Sequence, residues 1–220
     1  MSWTVNVGKD TTTAIYDAGA NNTSADTVFI CAHGAGGNMV DGGMQKMAKA
    51  LIERGINLVR FNFLYKEKKS GRPDPMPKLQ ETFAAVVEKA KEELAPKKIV
   101  IGGRSMGGRA ASMMAAEGYA CDGLLLYAYP LHPAGRPEKL RDAHLPQIKV
   151  PVLCFSGTRD PLCTPELMEK ALKTVTADWT MHWVEGADHS FHVLKSSGKT
   201  DAQVLDEIAD ESQAWIASLS

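Results

Sequence analysis

The chain has 220 residues, 44% hydrophobic and 23% charged, a composition that can bury a sizeable core. Its 25 Lys and Arg against 26 Asp and Glu leave a formal charge of −1. Nothing in that balance suggests the concentrated basic surface that a nucleic-acid or membrane partner would favour. The opening MSWTVNVGKD lacks the basic region and apolar core of a secretory signal, and no apolar run approaches the ~20 residues that cross a bilayer. These features predict a cytoplasmic protein, in which the overlapping sequons at Asn21 and Asn22 are chance matches. Cys31 and Cys154 lie in apolar runs, and Cys121 and Cys163 have no paired spacing. The four are expected to be small buried hydrophobes rather than disulfides or metal ligands.

Two alternating segments, Trp3–Val7 and Thr13–Tyr16, flank the turn residues Gly8-Lys9-Asp10 and predict a hairpin. The pattern then changes to short continuous apolar runs, starting with Val28–Ala32. Others follow at Leu58–Phe61, Ile99–Ile101, Leu124–Tyr127, Val152–Phe155 and Trp179–Trp183. Such runs are expected of strands buried on both faces. Helical spacing joins Val40, Met44, Met47, Ala48 and Leu51, and again Leu79, Phe83, Val86, Val87, Ala90 and Leu94. A last amphipathic helix is written by Leu205, Ile208, Ala209, Ser212, Trp215, Ile216 and Leu219. Strands alternating with helices predict an α/β fold with a doubly wound, mostly parallel sheet of about eight strands. With no repeat, low-complexity tract or linker, residues 1–220 are expected to form one domain.

The chemistry centres on Gly103-Arg104-Ser105-Met106-Gly107, which matches G-x-S-x-G. The match is short enough to arise by chance, so its setting decides. Lys98–Gly102 reads as a strand and Met106–Glu117 as a helix, and a serine on so sharp a turn has no room for bulky neighbours. Gly103 and Gly107 provide that room, and Gly108 lets the helix approach the sheet. A serine hydroxyl also needs a base and a group to orient that base. Asp160 follows the Val152–Phe155 strand, and His189 lies on the loop after the next strand, in the order Ser, Asp, His. His192 ranks second as the base, and the side chain of Asp188 is expected to point away from the imidazole.

An oxyanion needs two backbone N–H donors. Met106, directly after the serine, is one candidate. The glycine-rich loop His33-Gly34-Ala35-Gly36-Gly37-Asn38 offers the other, with Ala35 preferred and Gly36 as the alternative. Gly34, Gly36, Arg104, Tyr129 and His132 are expected to contact substrate, with Tyr129–Pro133 and the segment after Arg60–Tyr65 as pocket rims. The basic run Lys66–Arg72 reads as a solvated loop, with attraction of an acidic or phosphate-bearing acyl substrate, together with Arg104, as the alternative. No metal-ligand spacing or cofactor motif is found; His189 and His192 lack a convincing third ligand. The expected partner is a small acyl substrate.

With these residues in place the sequence resembles the α/β-hydrolase superfamily over nearly its whole length. More narrowly it is similar to the small dienelactone-hydrolase-like, testis-expressed-type hydrolases. The resemblance is carried by His33–Asn38, Arg60-Phe61-Asn62-Phe63, Gly102–Gly108, Tyr129–Pro133, Gly157–Asp160 and Ala187–Phe191. It implies the α/β-hydrolase fold and a triad of Ser105, Asp160 and His189. Dienelactone hydrolases proper carry a cysteine nucleophile where this chain has Ser105, so the resemblance does not by itself imply their lactone chemistry. The segment Pro130–Lys149 is too short for a separate cap domain, which predicts a shallow, open pocket. Together these features point to a serine hydrolase of small esters or thioesters, with a catalytically silent binding or regulatory protein on the same fold as the alternative.

Overall fold

A computed structural model describes residues 1–22 and 24–219. Both sequons include Thr23, which lies outside the described residues. The strands are β1 (Ser2–Val7), β2 (Asp10–Asp17), β3 (Thr27–Ala32), β4 (Asn57–Phe61), β5 (Lys98–Arg104), β6 (Gly123–Tyr127), β7 (Val152–Gly157) and β8 (Trp179–Val184). They form one sheet in the order β1-β2-β4-β3-β5-β6-β7-β8. The β1–β2 hairpin joins antiparallel to β4, and β3 to β8 are mutually parallel. This is the eight-stranded, mostly parallel arrangement the alternating pattern predicts.

Among the described residues six helices cover the sheet: α1 (Gly42–Glu53), α2 (Leu64–Glu67), α3 (Met76–Leu94), α4 (Met106–Ala116), α5 (Pro165–Leu172) and α6 (Asp201–Ser218). Successive β3 residues divide between two cores, as strand geometry requires. Val28, Ile30 and Ala32 face a layer containing Phe83 of α3, Ala110 of α4 and Met168 of α5. Phe29 and Cys31 face Met44 and Leu51 of α1 and Val204 and Ile208 of α6. Because both faces are covered, the central strands read as continuous apolar runs. β8 departs from that expectation: it is an edge strand, and only Val184 in it is fully buried.

Two helix expectations shift. Val40 precedes α1 and is 46% exposed. The helix starts after Asp41, whose carboxylate accepts the Met44 N–H at 2.9 Å and so ends the apolar pattern early. Helix α5, at Pro165–Leu172, has too few turns to announce itself by periodicity. Between β6 and β7 the Pro130–Lys149 segment carries only a 3₁₀ turn at Leu145–Gln147, so no cap domain covers the sheet. All four cysteines are free thiols, three of them buried. Burial pushes the Cys31 thiol up to about 12.

Candidate active site

The parallel strands end on one edge of the sheet, where open α/β folds gather their ligands. Ser105 stands at the turn from β5 into α4 with φ 50° and ψ −115°, a left-handed conformation that an L-residue holds only under restraint. Two backbone bonds supply restraint. The Ser105 N–H donates to the Tyr127 carbonyl at 2.8 Å, and the Ser105 carbonyl accepts from Arg109 N–H at 2.9 Å. Gly103 completes the turn at φ 140°, where a Cβ would sit 2.2 Å from the Ala32 carbonyl oxygen.

Asp160 follows β7 and His189 follows β8. Their loops approach because Gly157, at the end of β7, has no side chain; a Cβ there would fall 2.1 Å from the Ala187 carbonyl oxygen. The Arg159 N–H donates to that same carbonyl at 2.9 Å. Asp160 is buried, with one carboxylate oxygen accepting the Leu162 N–H at 2.8 Å. Its other oxygen accepts from His189 Nδ1 at 2.8 Å, and His189 Nε2 accepts from the Ser105 hydroxyl at 3.0 Å. The structure therefore brings Ser105, His189 and Asp160 into one hydrogen-bonded chain.

Asp188 does point away from the imidazole. Its carboxylate accepts the Ser190 N–H at 2.7 Å and the His192 N–H at 3.1 Å, which holds the tip of the His189 loop. His192 is turned outward onto Asp201, with Nδ1 2.9 Å from a carboxylate oxygen. That contact raises its pKa from the ordinary imidazole value.

The glycine loop after β3 lies beside the serine. A Cβ built on Gly34 would be 3.6 Å from Ser105 Cβ. The loop is held from several directions by residues whose role the sequence left open. Phe63 N–H donates to His33 Nε2 at 3.1 Å, so the imidazole proton resides on Nδ1 and is donated to the Gly34 carbonyl at 2.7 Å. Gly37 N–H reaches the same carbonyl at 3.1 Å. Tyr65 donates its hydroxyl to the Ala35 carbonyl at 2.8 Å. Further along, Arg60 donates to the Met39 carbonyl and Asn62 accepts the Met39 N–H.

In a trans peptide the N–H points opposite the C=O. Fixing the Gly34 carbonyl thus aims the Ala35 N–H, and fixing the Ala35 carbonyl aims the Gly36 N–H. Among the described residues neither N–H has a backbone acceptor. Met106 opens α4, so its N–H lies in the first turn, where intrahelical partners are lacking. Burial drives the His33 pKa down to about 4, which keeps this brace neutral.

Two expected substrate contacts are displaced. Tyr129 is fully buried, and its hydroxyl donates to the Arg141 carbonyl at 2.8 Å. His132 is also buried, with Nε2 3.0 Å from the Thr164 hydroxyl and Nδ1 3.1 Å from the Pro133 carbonyl. Their segment packs under α5 instead of forming a rim, because its apolar residues Tyr129 and Leu131 join the core. Arg104 remains at the site. Its guanidinium donates to the Ser190 hydroxyl at 3.1 Å and the His189 carbonyl at 3.3 Å.

The sequence profile described as "Alpha/beta hydrolase domain" matches residues 25–217. The chain belongs to the α/β-hydrolase family. The chain is similar in structure to an alpha-beta serine hydrolase homologue from Coxiella burnetii, at 21% identity, TM-score 0.77 and 96% coverage of both chains. It is likewise similar to a serine hydrolase without a lid from Xanthomonas campestris, at 23% identity and TM-score 0.73, covering 96% of this chain and 94% of that one. A dienelactone hydrolase from Anabaena variabilis matches at 20% identity and TM-score 0.76, over 100% of this chain and 97% of the other. At these identities the likeness shows the fold. Among the described residues of this α/β-hydrolase, no helix is long and apolar enough to cross a membrane.

Proposed function

We propose that the chain is a serine hydrolase that cleaves small esters or thioesters through an acyl-enzyme on Ser105. The observation that carries this reading is the chain of bonds from Ser105 to His189 to Asp160, at 3.0 and 2.8 Å, on a serine held at φ 50°. In the first half-reaction His189 Nε2 takes the hydroxyl proton as Ser105 Oγ bonds to the acyl carbon. The Met106 N–H and the Ala35 N–H, with Gly36 as the alternative, stabilise the negative charge on the carbonyl oxygen. The bond to the alcohol or thiol then breaks, and the imidazolium gives its proton to that leaving group. Water repeats the sequence in reverse, its proton passing through His189, and releases the acid and free Ser105. Asp160 holds Nδ1–H and stabilises the imidazolium at each stage. It does so from a buried position supported by the Leu162 N–H.

The test is turnover of p-nitrophenyl acetate together with labelling by a fluorophosphonate. Ser105→Ala is expected to remove both, with a fall in kcat on the order of 10⁶ where the nucleophile is the working residue. A folded wild-type chain that neither labels nor turns over would sink the proposal. It would leave a binding protein on a hydrolase fold. Activity that persists in Ser105→Ala would move the nucleophile elsewhere.

A further inference from the structure

A cavity of about 510 Å³ opens between α1 and α6, within the size range of sites for small organic ligands. It lies on the face of the sheet opposite α4, and its walls include Cys31, Met44, Met47, Tyr127 and Leu205. These are thiol, thioether, aromatic and aliphatic groups, while the exposed Lys46, Lys49, Glu53, Asp201 and Asp206 line its rim.

The position of the inner end matters most. Arg104 and Ser190 both line it, and they are the chain neighbours of Ser105 and His189. Arg104 donates to the Ser190 hydroxyl at 3.1 Å, so one wall of the cavity adjoins the candidate active site. Phe191 continues that wall, held at φ 59° by the tight turn that carries His189. Among the described residues Arg104 makes no ion pair; its guanidinium donates to two neutral groups, the Ser190 hydroxyl and the His189 carbonyl, and so keeps its positive charge unneutralised at the junction.

We infer that this cavity is the acyl-chain subsite, so that the preferred substrates are esters or thioesters of an apolar acyl group longer than acetyl. The inference rests on the Ser105 reading for its chemistry. The scissile carbonyl sits at Ser105, and the acyl chain runs past Arg104 into the space between α1 and α6. Apolar walls that would otherwise face water supply the preference for a long chain. Arg104 supplies a polar junction beside the carbonyl and, after hydrolysis, a cation beside the product carboxylate.

The test uses p-nitrophenyl acetate and p-nitrophenyl octanoate with wild type, Ala202→Trp and Ala50→Phe. Ala202 is an exposed residue at the mouth, in the first turn of α6, and Ala50 is a buried wall residue of α1. Wild type is expected to favour octanoate by at least tenfold in kcat/KM. Each variant should cut the octanoate-to-acetate ratio by tenfold or more, and the ratio cancels any general loss at the site. A parallel series of acetate esters with lengthening alcohols should show no such response. If the alcohol series responds instead, the acyl assignment is overturned. Decanoate binding to Ser105→Ala, measured by calorimetry, gives a readout free of turnover; Ala202→Trp in that background should weaken it by at least tenfold. Ratios and decanoate affinity unchanged in both variants would overturn the inference. If no ester is turned over yet decanoate binds and is blocked by Ala202→Trp, the hydrolase reading fails while the apolar-chain site stands.

Discussion

Phe63 donates its N–H to His33 Nε2 at 3.1 Å, and this one bond decides where the imidazole keeps its proton. With Nε2 occupied as an acceptor, Nδ1 carries the hydrogen and clamps the Gly34 carbonyl. The backbone donors of the glycine loop are thereby oriented before any substrate arrives, the condition under which oxyanion stabilisation costs no reorganisation.

This brace makes stability depend on pH. His33 has its pKa pushed from 6.5 down to about 4 by burial, so it binds a proton more readily unfolded than folded. Its stabilising contribution is complete above pH 6.5 and is lost as pH falls through about 4. His144, also driven down to about 4 by burial, acts in the same direction. Urea midpoints should therefore fall steadily from pH 7 to pH 4.5. His33 ring resonances in a pH titration should stay those of the neutral form down to pH 5; a midpoint near 6.5 would contradict the assignment.

Tyr65→Phe should separate the two candidate oxyanion donors. The Tyr65 hydroxyl restrains the Ala35 carbonyl and hence aims the Gly36 N–H, whereas the Ala35 N–H is governed by His33. With Ala35 as the donor, kcat on p-nitrophenyl acetate should change by no more than about threefold. A fall of about 100-fold, the size typical of a lost donor, would transfer the role to Gly36.

Ser105→Gly should stabilise the fold while removing turnover. The left-handed conformation at φ 50° costs a non-glycine residue on the order of 1–3 kcal/mol. Part of that gain is offset by the greater freedom of glycine in the unfolded chain. The net expectation is a gain of about 1 kcal/mol, or roughly 2–4 °C in Tm for a chain of this size. A melting temperature below wild type would show that the turn is not strained.

Gly157→Ala tests the approach of the two loops. Its methyl group would meet the Ala187 carbonyl oxygen at 2.1 Å, so the Asp160 and His189 loops must part. Displacements of about 1 Å at a reacting group can cost on the order of 100-fold in rate. A variant that melts as wild type does and keeps full kcat would remove Gly157 from the argument.

The strand–turn–helix setting of Ser105 was legible because every part of it is local. A buried apolar run, a glycine, the serine and a helical run follow one another without interruption. The same holds for Asp160 and His189 as loop residues at strand ends. Helix α5 and the start of α1 were less legible, since eight residues carry little periodicity and the Asp41 cap acts through a side-chain oxygen. Tyr129 and His132 misled for a different reason. An aromatic and a histidine beside prolines look the same in sequence whether they rim a pocket or pack beneath it.

Sequence alone thus determined the order of the strands and of the longer helices, the family resemblance and the choice of three candidate residues at strand ends. These follow from local period and spacing. Tertiary structure decided that Ser105, His189 and Asp160 meet, although 84 residues separate the first pair. It also decided how His33, Phe63, Tyr65 and Ala35 fix the glycine loop, and that α1 and α6 leave a cavity behind Arg104. Each depends on how separate elements stack on the sheet, where packing sets side-chain direction and spacing in the chain does not.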